Sequence, residues 1–213
     1  MSRITVIGGT GYAGAHLVAE AARRGHTVTS ISRTVPDEQL DGVTYRAGSI
    51  TDDAVAAAAV DADTVLVTVS PRGAMAGQVA PAAENVARHA QQHGTRFGII
   101  GGAGSLRVAP DGPLLMDTDD FPDAFKAEAV EMTDVLDWLR EQDETLDWFF
   151  VSPAAGFGAY APGEATGTYR TGGDVLLTDE NGNSDLSGQD LAAAIVDEIE
   201  RPVHHRQRFT VAY

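Results

Sequence analysis

The sequence predicts an α/β fold: a doubly wound parallel sheet with helices on both faces and a small C-terminal lobe. Three observations predict it. Short β-branched runs alternate with helical stretches as far as about residue 152. The first run leads straight into closely spaced glycines and then into a helix. With 213 residues, 43% of them hydrophobic, the chain is long and apolar enough for one domain with a substantial core, spanning 1–213.

The elements follow in order. Residues 3–7 (RITVI) form the first strand, and residues 12–24 a helix closed by Gly25, with Arg23 and Arg24 in its last turn, where cations suit the helix dipole. Strands are expected at 27–32 and 43–47. Asp52 or Thr51 can cap an alanine-rich helix reaching about Val60. A fourth strand at 64–69, a helix over 77–92 stopped by Gly94, and a fifth strand at 97–101 come next. A helix over 123–141 carries Val130, Val135, Leu136 and Leu139 on its apolar side, and the sixth strand is 147–152. After Pro153 glycines dominate. Short strands are expected at 167–170, 175–178 and 184–187, then a helix at 188–200 and a last strand at 208–212. The segment 155–187 is expected to build the small lobe over the carboxyl edge of the sheet, where open α/β sheets bind ligands.

Composition narrows the function. The chain has no cysteine, which excludes disulfides and thiolate chemistry. Its formal charge of −16 opposes nucleic acid and anionic membranes as partners. No apolar run is long enough to span a membrane, and the N-terminus lacks the features of a signal peptide, so a cytoplasmic location is expected. The partner expected is a small-molecule substrate, with the chain a monomer or homodimer.

Between the first strand and the first helix lies Gly8-Gly9-Thr10-Gly11-Tyr12-Ala13-Gly14. Gly8 permits the tight turn off the strand, Gly11 lets a pyrophosphate approach the backbone, and Gly14 lets the helix pack on the sheet. The helix then presents unpaired amides to the phosphates. This spacing, with a strand before it and a helix and a second strand after it, reads as a dinucleotide site of the Rossmann type. The end of the second strand bears on which dinucleotide. An acid there would bind the ribose 2′-hydroxyl of NAD, but the chain reads Ser30-Ile31-Ser32-Arg33-Thr34. Arg33, helped by the Ser32 hydroxyl, can pair with a 2′-phosphate, which favours NADP(H). Asp37 and Glu38 follow closely and keep NAD(H) as the alternative.

These residues resemble the atypical short-chain dehydrogenase/reductases of the NmrA-like type. The segments 101–106 (GGAGSL), 146–155 (LDWFFVSPAA), 167–187 (GTYRTGGDVLLTDENGNSDLS) and the C-terminal RFTVAY resemble, more narrowly, the bacterial NADH-flavin reductase group. The resemblance covers nearly the whole chain. It implies that Gly8, Thr10, Gly11, Tyr12 and Arg33 contact the cofactor's phosphates, and that Thr68-Val69-Ser70 passes the adenosine ribose. It implies that Gly102-Ala103-Gly104-Ser105 lies where classical relatives keep a catalytic serine, and that Ser152-Pro153-Ala154 passes the nicotinamide. Relatives include biliverdin and flavin reductases, and NADP-sensing regulators without catalysis. The chain departs from the classical pattern at the proton donor. Four residues before its single lysine, Lys126, stands Pro122, with Phe121 and Phe125 nearby and no tyrosine.

Other groupings carry less. The six histidines have no metal-ligand spacing. His89 and His93 read as a solvated helix face, and His204 and His205 as surface residues. Asp117, Asp119, Asp120 and Asp123 precede a helix and read as stabilising its N-terminus rather than binding a metal. Trp148, Phe149 and Phe150 read as core. Phe157 and Tyr160 follow the sixth strand in a glycine-rich loop, where an aromatic can stack on a flat substrate; Tyr169 and Arg170 are weaker candidates. The expected activity is an NADPH-dependent reductase passing hydride to a flavin, quinone or similar flat acceptor, with Ser105 and Tyr160 as candidate catalytic groups. The alternatives are an NADP(H)-sensing regulator without turnover and an epimerase- or isomerase-like enzyme on a small metabolite.

Overall fold

The computed structural model describes residues 1–213 and places, in chain order, β1 (Arg3–Ile7), α1 (Tyr12–Arg23), β2 (Thr27–Ser32), β3 (Val43–Ala47), α2 (Asp53–Ala59), β4 (Thr64–Val67), α3 (Val79–His93), β5 (Arg96–Ile100), α4 (Asp123–Arg140), β6 (Trp148–Pro153), β7 (Arg170–Gly172), α5 (Gly188–Glu200) and β8 (Gln207–Ala212). The strands form one sheet in the order β3-β2-β1-β4-β5-β6-β8-β7. Every neighbouring pair is parallel except β7–β8. The chain winds outward from β1 through β2 to β3, then returns to the other side of β1 at β4. Between the carboxyl ends of β1 and β4 the helices therefore diverge and leave a crevice.

Local chemistry sets the element ends. Gly25 (φ +82°) and Gly94 (φ +69°) take the left-handed conformation that stops α1 and α3. Asp52 accepts the Ala54 amide and Ser187 the Asp190 amide, so both α2 and α5 begin on a side-chain cap. Strands β4, β5 and β6 are buried at every position, as central parallel strands covered on both faces must be. Two apolar layers cover the sheet. One joins α2, α3 and α4 to Phe97, Trp148 and Phe150; the other joins α1 and α5 to Phe149, Val151 and Phe209. No helix is long and apolar enough to cross a membrane.

Several expectations need correction. Val130 does not face the core but is 50% exposed. The buried stripe of α4 is Ala129, Met132, Val135, Leu136 and Leu139, and one residue beyond Ala129 the helix has turned about 100° toward solvent. The strands expected at 167–170, 175–178 and 184–187 reduce to β7, with a single bridge from Val175 to Arg107. Residues 175–178 and 184–187 make single backbone bonds rather than a ladder, from the Leu176 amide to Arg107 and from the Gly156 and Tyr213 amides to Ser184 and Asp185, and the turns beside them are tied to side chains. Asp179 accepts the amides of Asn181 and Asn183, and Asp190 accepts those of Thr166 and Gly167.

His93 and His205 are exposed as expected, but His89 and His204 are less solvated. His89 is half-buried and its Nε2 lies 2.9 Å from Asp53 Oδ1, tying α3 to the start of α2. His204 is half-buried at the amino end of the sheet. Its ring stacks on Phe209 at 4.3 Å and its Nδ1 lies 2.7 Å from Glu198. Glu198 also takes the Arg96 guanidinium at 2.6 Å, and Arg96 lies over the Phe149 ring. This pair is far from the crevice and serves the fold.

Candidate functional site

The crevice begins at the glycine turn. Ile7 ends β1, and Gly8 (φ +92°) reverses the chain while its amide bonds the Ile31 carbonyl at 2.8 Å. The Gly11 amide closes the turn on the Gly8 carbonyl at 2.9 Å, and the Thr10 amide bonds the Ser32 hydroxyl at 3.1 Å. From β4, the Thr68 hydroxyl donates to the Ile7 carbonyl and supports the turn from below. Gly14 lies under it: a Cβ there would collide with the Gly8 carbonyl oxygen and come within 2.7 Å of Thr68 Oγ1. A Cβ on Gly11 would meet only the Gly8 carbonyl oxygen, at 3.3 Å, with the rest of its surroundings open.

At the start of α1 the Tyr12 and Ala13 amides have no acceptor within the protein, and no acid stands in the first turn. Free amides, an open approach at Gly11 and the positive end of a helix dipole form an anion cradle. At the end of β2, Arg33 is exposed, lines the same cleft, and makes no hydrogen bond or ion pair; Asp37 and Glu38 do not line the cleft. The residues present therefore fit a dinucleotide with its pyrophosphate on α1 and its adenosine ribose beside Ser32 and Arg33.

The cleft continues along the sheet edge as one cavity of about 800 Å³. That is within the 300–1,000 Å³ range of small-molecule sites. Of the residues expected in the site, Gly8, Thr10, Gly11, Tyr12, Ser32, Arg33, Thr68, Ser70, Gly102, Pro153 and Tyr160 line it. Gly14 and Ser152 lie beneath its surface, and Ser152 is fully buried.

Ser105 is the correction that matters most for chemistry. It is 92% buried and outside the cleft. Its hydroxyl accepts from Arg208 at 2.8 Å and its carbonyl does so at 3.1 Å. Arg208, whose pKa burial lowers against the Asp174 carboxylate beside it, is itself fixed by that residue. Ser105 is thus a strut joining the loop after β5 to the outer sheet. Tyr169 and Arg170 are also remote: the Tyr169 hydroxyl bonds Asp197, and Arg170 bonds the Thr178 and Tyr213 carbonyls.

The far end of the cleft is built by α4 and the loop after β4. Phe121, Pro122 and Phe125 line it from the start of α4. Tyr160 stacks on Phe125 with ring centroids 6.1 Å apart and planes 22° from parallel. The Arg72 guanidinium lies over the Phe125 ring at 5.1 Å. Glu128, one turn along α4, accepts from both Arg72 and the Ser70 hydroxyl. Glu131, one turn further, accepts the amides of Gly77, Val79 and Ala80 and so caps α3 from outside. Two carboxylates of α4 therefore clamp residues 70–80 across the mouth. Tyr12 joins the two ends of the site. Its hydroxyl donates to the Pro162 carbonyl at 3.1 Å, its ring meets Phe157 at 5.4 Å, and burial raises its phenol pKa.

Sequence reasoning missed Arg72 and Glu128. Nothing local marks them, because their partnership joins residues 56 positions apart. Of the aspartates before α4, Asp123 stands in the first helical turn as expected, but none supplies a side-chain cap. Pro122 occupies the cap position without a side-chain bond, Asp123 pairs with Lys126, and Asp120 lines the cleft. Nowhere do three side chains gather in a way that could hold a metal ion.

Comparison with known proteins agrees with this geometry. The chain is 34% identical to the uncharacterized protein YwnB of Bacillus subtilis, across 98% of this chain and 97% of that one. It is 42% identical to a protein of Burkholderia pseudomallei provisionally named as exported, with a TM-score of 0.87 and all of both chains covered. A protein of Streptococcus pneumoniae provisionally named an NADH-flavin reductase shares 33% identity and a TM-score of 0.84, over 100% of this chain and 99% of that one. Residues 8–202 match the model of the NAD(P)H-binding family, and the chain belongs to that family.

Proposed function

We propose that this chain is an NADPH-dependent reductase that passes a hydride to a flat conjugated acceptor, a flavin or a quinone. The observation that carries the reading is the continuity of the cleft: one cavity joins an anion cradle and an unpaired arginine to an aromatic-walled end. The Tyr12 and Ala13 amides would hold the pyrophosphate, Arg33 and Ser32 the 2′-phosphate, and Gly102 and Pro153 would flank the nicotinamide. Bound there, the nicotinamide supplies a hydride. Phe125, Tyr160 and Phe157 orient a planar acceptor beside it and exclude water, and positioning alone is worth about 7–11 kcal/mol.

Proton supply supports the choice of acceptor. Lys126 is held at the surface by Asp123, 2.9 Å away, and does not line the cleft. The Tyr12 and Tyr160 phenols do line it, but the Tyr12 proton is engaged by Pro162, leaving Tyr160, weakly bonded to the Ala155 carbonyl at 3.4 Å, as the candidate donor. Reduced flavins and quinones form delocalised anions that solvent can protonate, whereas an isolated ketone needs a positioned acid. The test is anaerobic NADPH oxidation against a panel of flavins and quinones, with NADPH binding measured in parallel. Turnover with at least one acceptor is expected. Tight binding with no turnover would assign the chain to NADP(H) sensing instead.

A further inference from the structure

We infer that the acceptor end of the cleft selects uncharged ring systems and rejects the same rings when they carry a phosphate or sulfonate. The inference rests on the reductase reading above and names its substrate class. Four charged residues line the cleft: Arg33, Arg72, Asp120 and Glu128. Arg33 stands at the end of β2, on the cofactor side of the glycine turn. At the acceptor end one guanidinium therefore faces two carboxylates.

That guanidinium is not free. Glu128 takes it from one side and the Phe125 ring from the other. An anionic acceptor could recruit Arg72 only by stripping it from Glu128. The half-buried carboxylate would then keep just the Ser70 hydroxyl and would face the incoming anion. The cost of leaving a partly desolvated charge unpaired opposes the exchange. Asp117, Asp119 and Asp123 are neighbours of Asp120 in the chain and lie outside the cleft, and Lys126, also outside it, is engaged by Asp123. The chain as a whole carries −16, so the far field points the same way. Phe125 and Tyr160 meanwhile give the cleft aromatic lining that a neutral ring meets without displacing a charge.

Riboflavin and flavin mononucleotide make the comparison clean, because they share one isoalloxazine and one ribityl chain and differ only by the phosphate on that chain. In each assay NADPH is oxidised to NADP⁺ while the acceptor gains a hydride and a solvent proton. Screened repulsion of a dianion by Asp120, the carboxylate left uncompensated once Arg72 pairs with Glu128, predicts kcat/KM about threefold higher for riboflavin at low ionic strength. The ratio should shrink as salt rises, since the Debye length falls to about 8 Å at 0.15 M. Asp120→Asn should bring the ratio close to one. The pair 1,4-naphthoquinone and its 2-sulfonate repeats the comparison on a second ring. Binding of all four compounds to the NADP⁺-loaded protein, read by fluorescence quenching, provides a readout independent of turnover.

Tighter binding of the neutral member of each pair supports the inference even if turnover is absent and the reductase reading fails. Equal or better use of the mononucleotide, or a ratio insensitive to both salt and Asp120→Asn, overturns it while leaving the reductase reading intact. A mononucleotide preference abolished by Arg72→Gln overturns it in a specific way, by showing that Glu128 yields the guanidinium to the phosphate. Neither binding nor turnover of any of the four overturns both.

Discussion

Gly11→Val separates the binding role of the glycine turn from its folding role. Gly11 has φ −72° and ψ 170°, an extended conformation that valine adopts without strain. A Cβ there meets only the Gly8 carbonyl oxygen at 3.3 Å, so the fold has little to relieve. The residue is the N-cap of α1 and already lacks a side-chain cap bond, so valine should cost about 1 kcal/mol or less. For a chain of this length that lowers Tm by about 2–4 °C. Binding should suffer far more. The isopropyl group would stand over the free Tyr12 and Ala13 amides, where a pyrophosphate must sit. Losing two charge-assisted hydrogen bonds at about 1.5–3 kcal/mol each weakens NADPH by more than about 100-fold. Calorimetric titration with NADPH, beside a thermal melt, reads both quantities. Gly14→Ala is the counterpart, because its Cβ runs into backbone: overpacking there should cost about 1–3 kcal/mol, or about 2–12 °C in Tm. A folded Gly11→Val protein that still binds NADPH normally would refute the placement of the pyrophosphate. A Gly14→Ala protein as stable as wild type would refute the packing argument.

Arg33→Ala should weaken NADPH about 10- to 150-fold while leaving NADH nearly unchanged, since a free guanidinium beside Ser32 is suited to a 2′-phosphate; equal affinities for the two cofactors in wild type would sink the idea. Simple aliphatic and aryl ketones should not be reduced, and efficient ketone turnover that survives Tyr160→Phe would show that another acid serves the cleft. Arg96→Ala should destabilise the fold by about 3–5 kcal/mol in urea melts, because it leaves the buried Glu198 carboxylate without its main partner. Burial by itself raises the Glu198 pKa, but hydrogen bonds from Arg96 and His204 outweigh it, and Asp190 and Asp197 are likewise held below the ordinary range. Depressed carboxylates stabilise the fold above their unfolded pKa of about 4 and lose that contribution as pH falls through the folded value. Tm should therefore stay level from pH 7 to about 5 and fall below about 4.5, with a shallower acid limb in Glu198→Gln.

The glycine turn, the order of strands and helices up to residue 153, and Arg33 after β2 were legible in the sequence. Each is a local matter: a glycine at positive φ, a helix cap, an apolar run or a residue counted from a strand end acts within a few positions of itself. Which residues line the far end of the cleft was not legible. Ser105 follows β5 at the position a family resemblance marks for catalysis, yet Arg208, 103 positions away, takes its hydroxyl into the interior. Glu128 and Arg72 are unremarkable on their own elements and become a pair only when α4 docks beside the loop after β4. Val130 failed by a single residue of helical phase, and the strands expected after Pro153 shrank because Asp190 takes the Gly167 amide while 175–178 and 184–187 meet only single backbone partners from distant segments. The sequence by itself determined the glycine turn on which we propose that a dinucleotide sits, because backbone geometry at that turn is a local matter. Only the tertiary structure decided what lines the far end of the cleft, because that wall is assembled from residues of distant segments whose charges and rings take on meaning through the neighbours they meet.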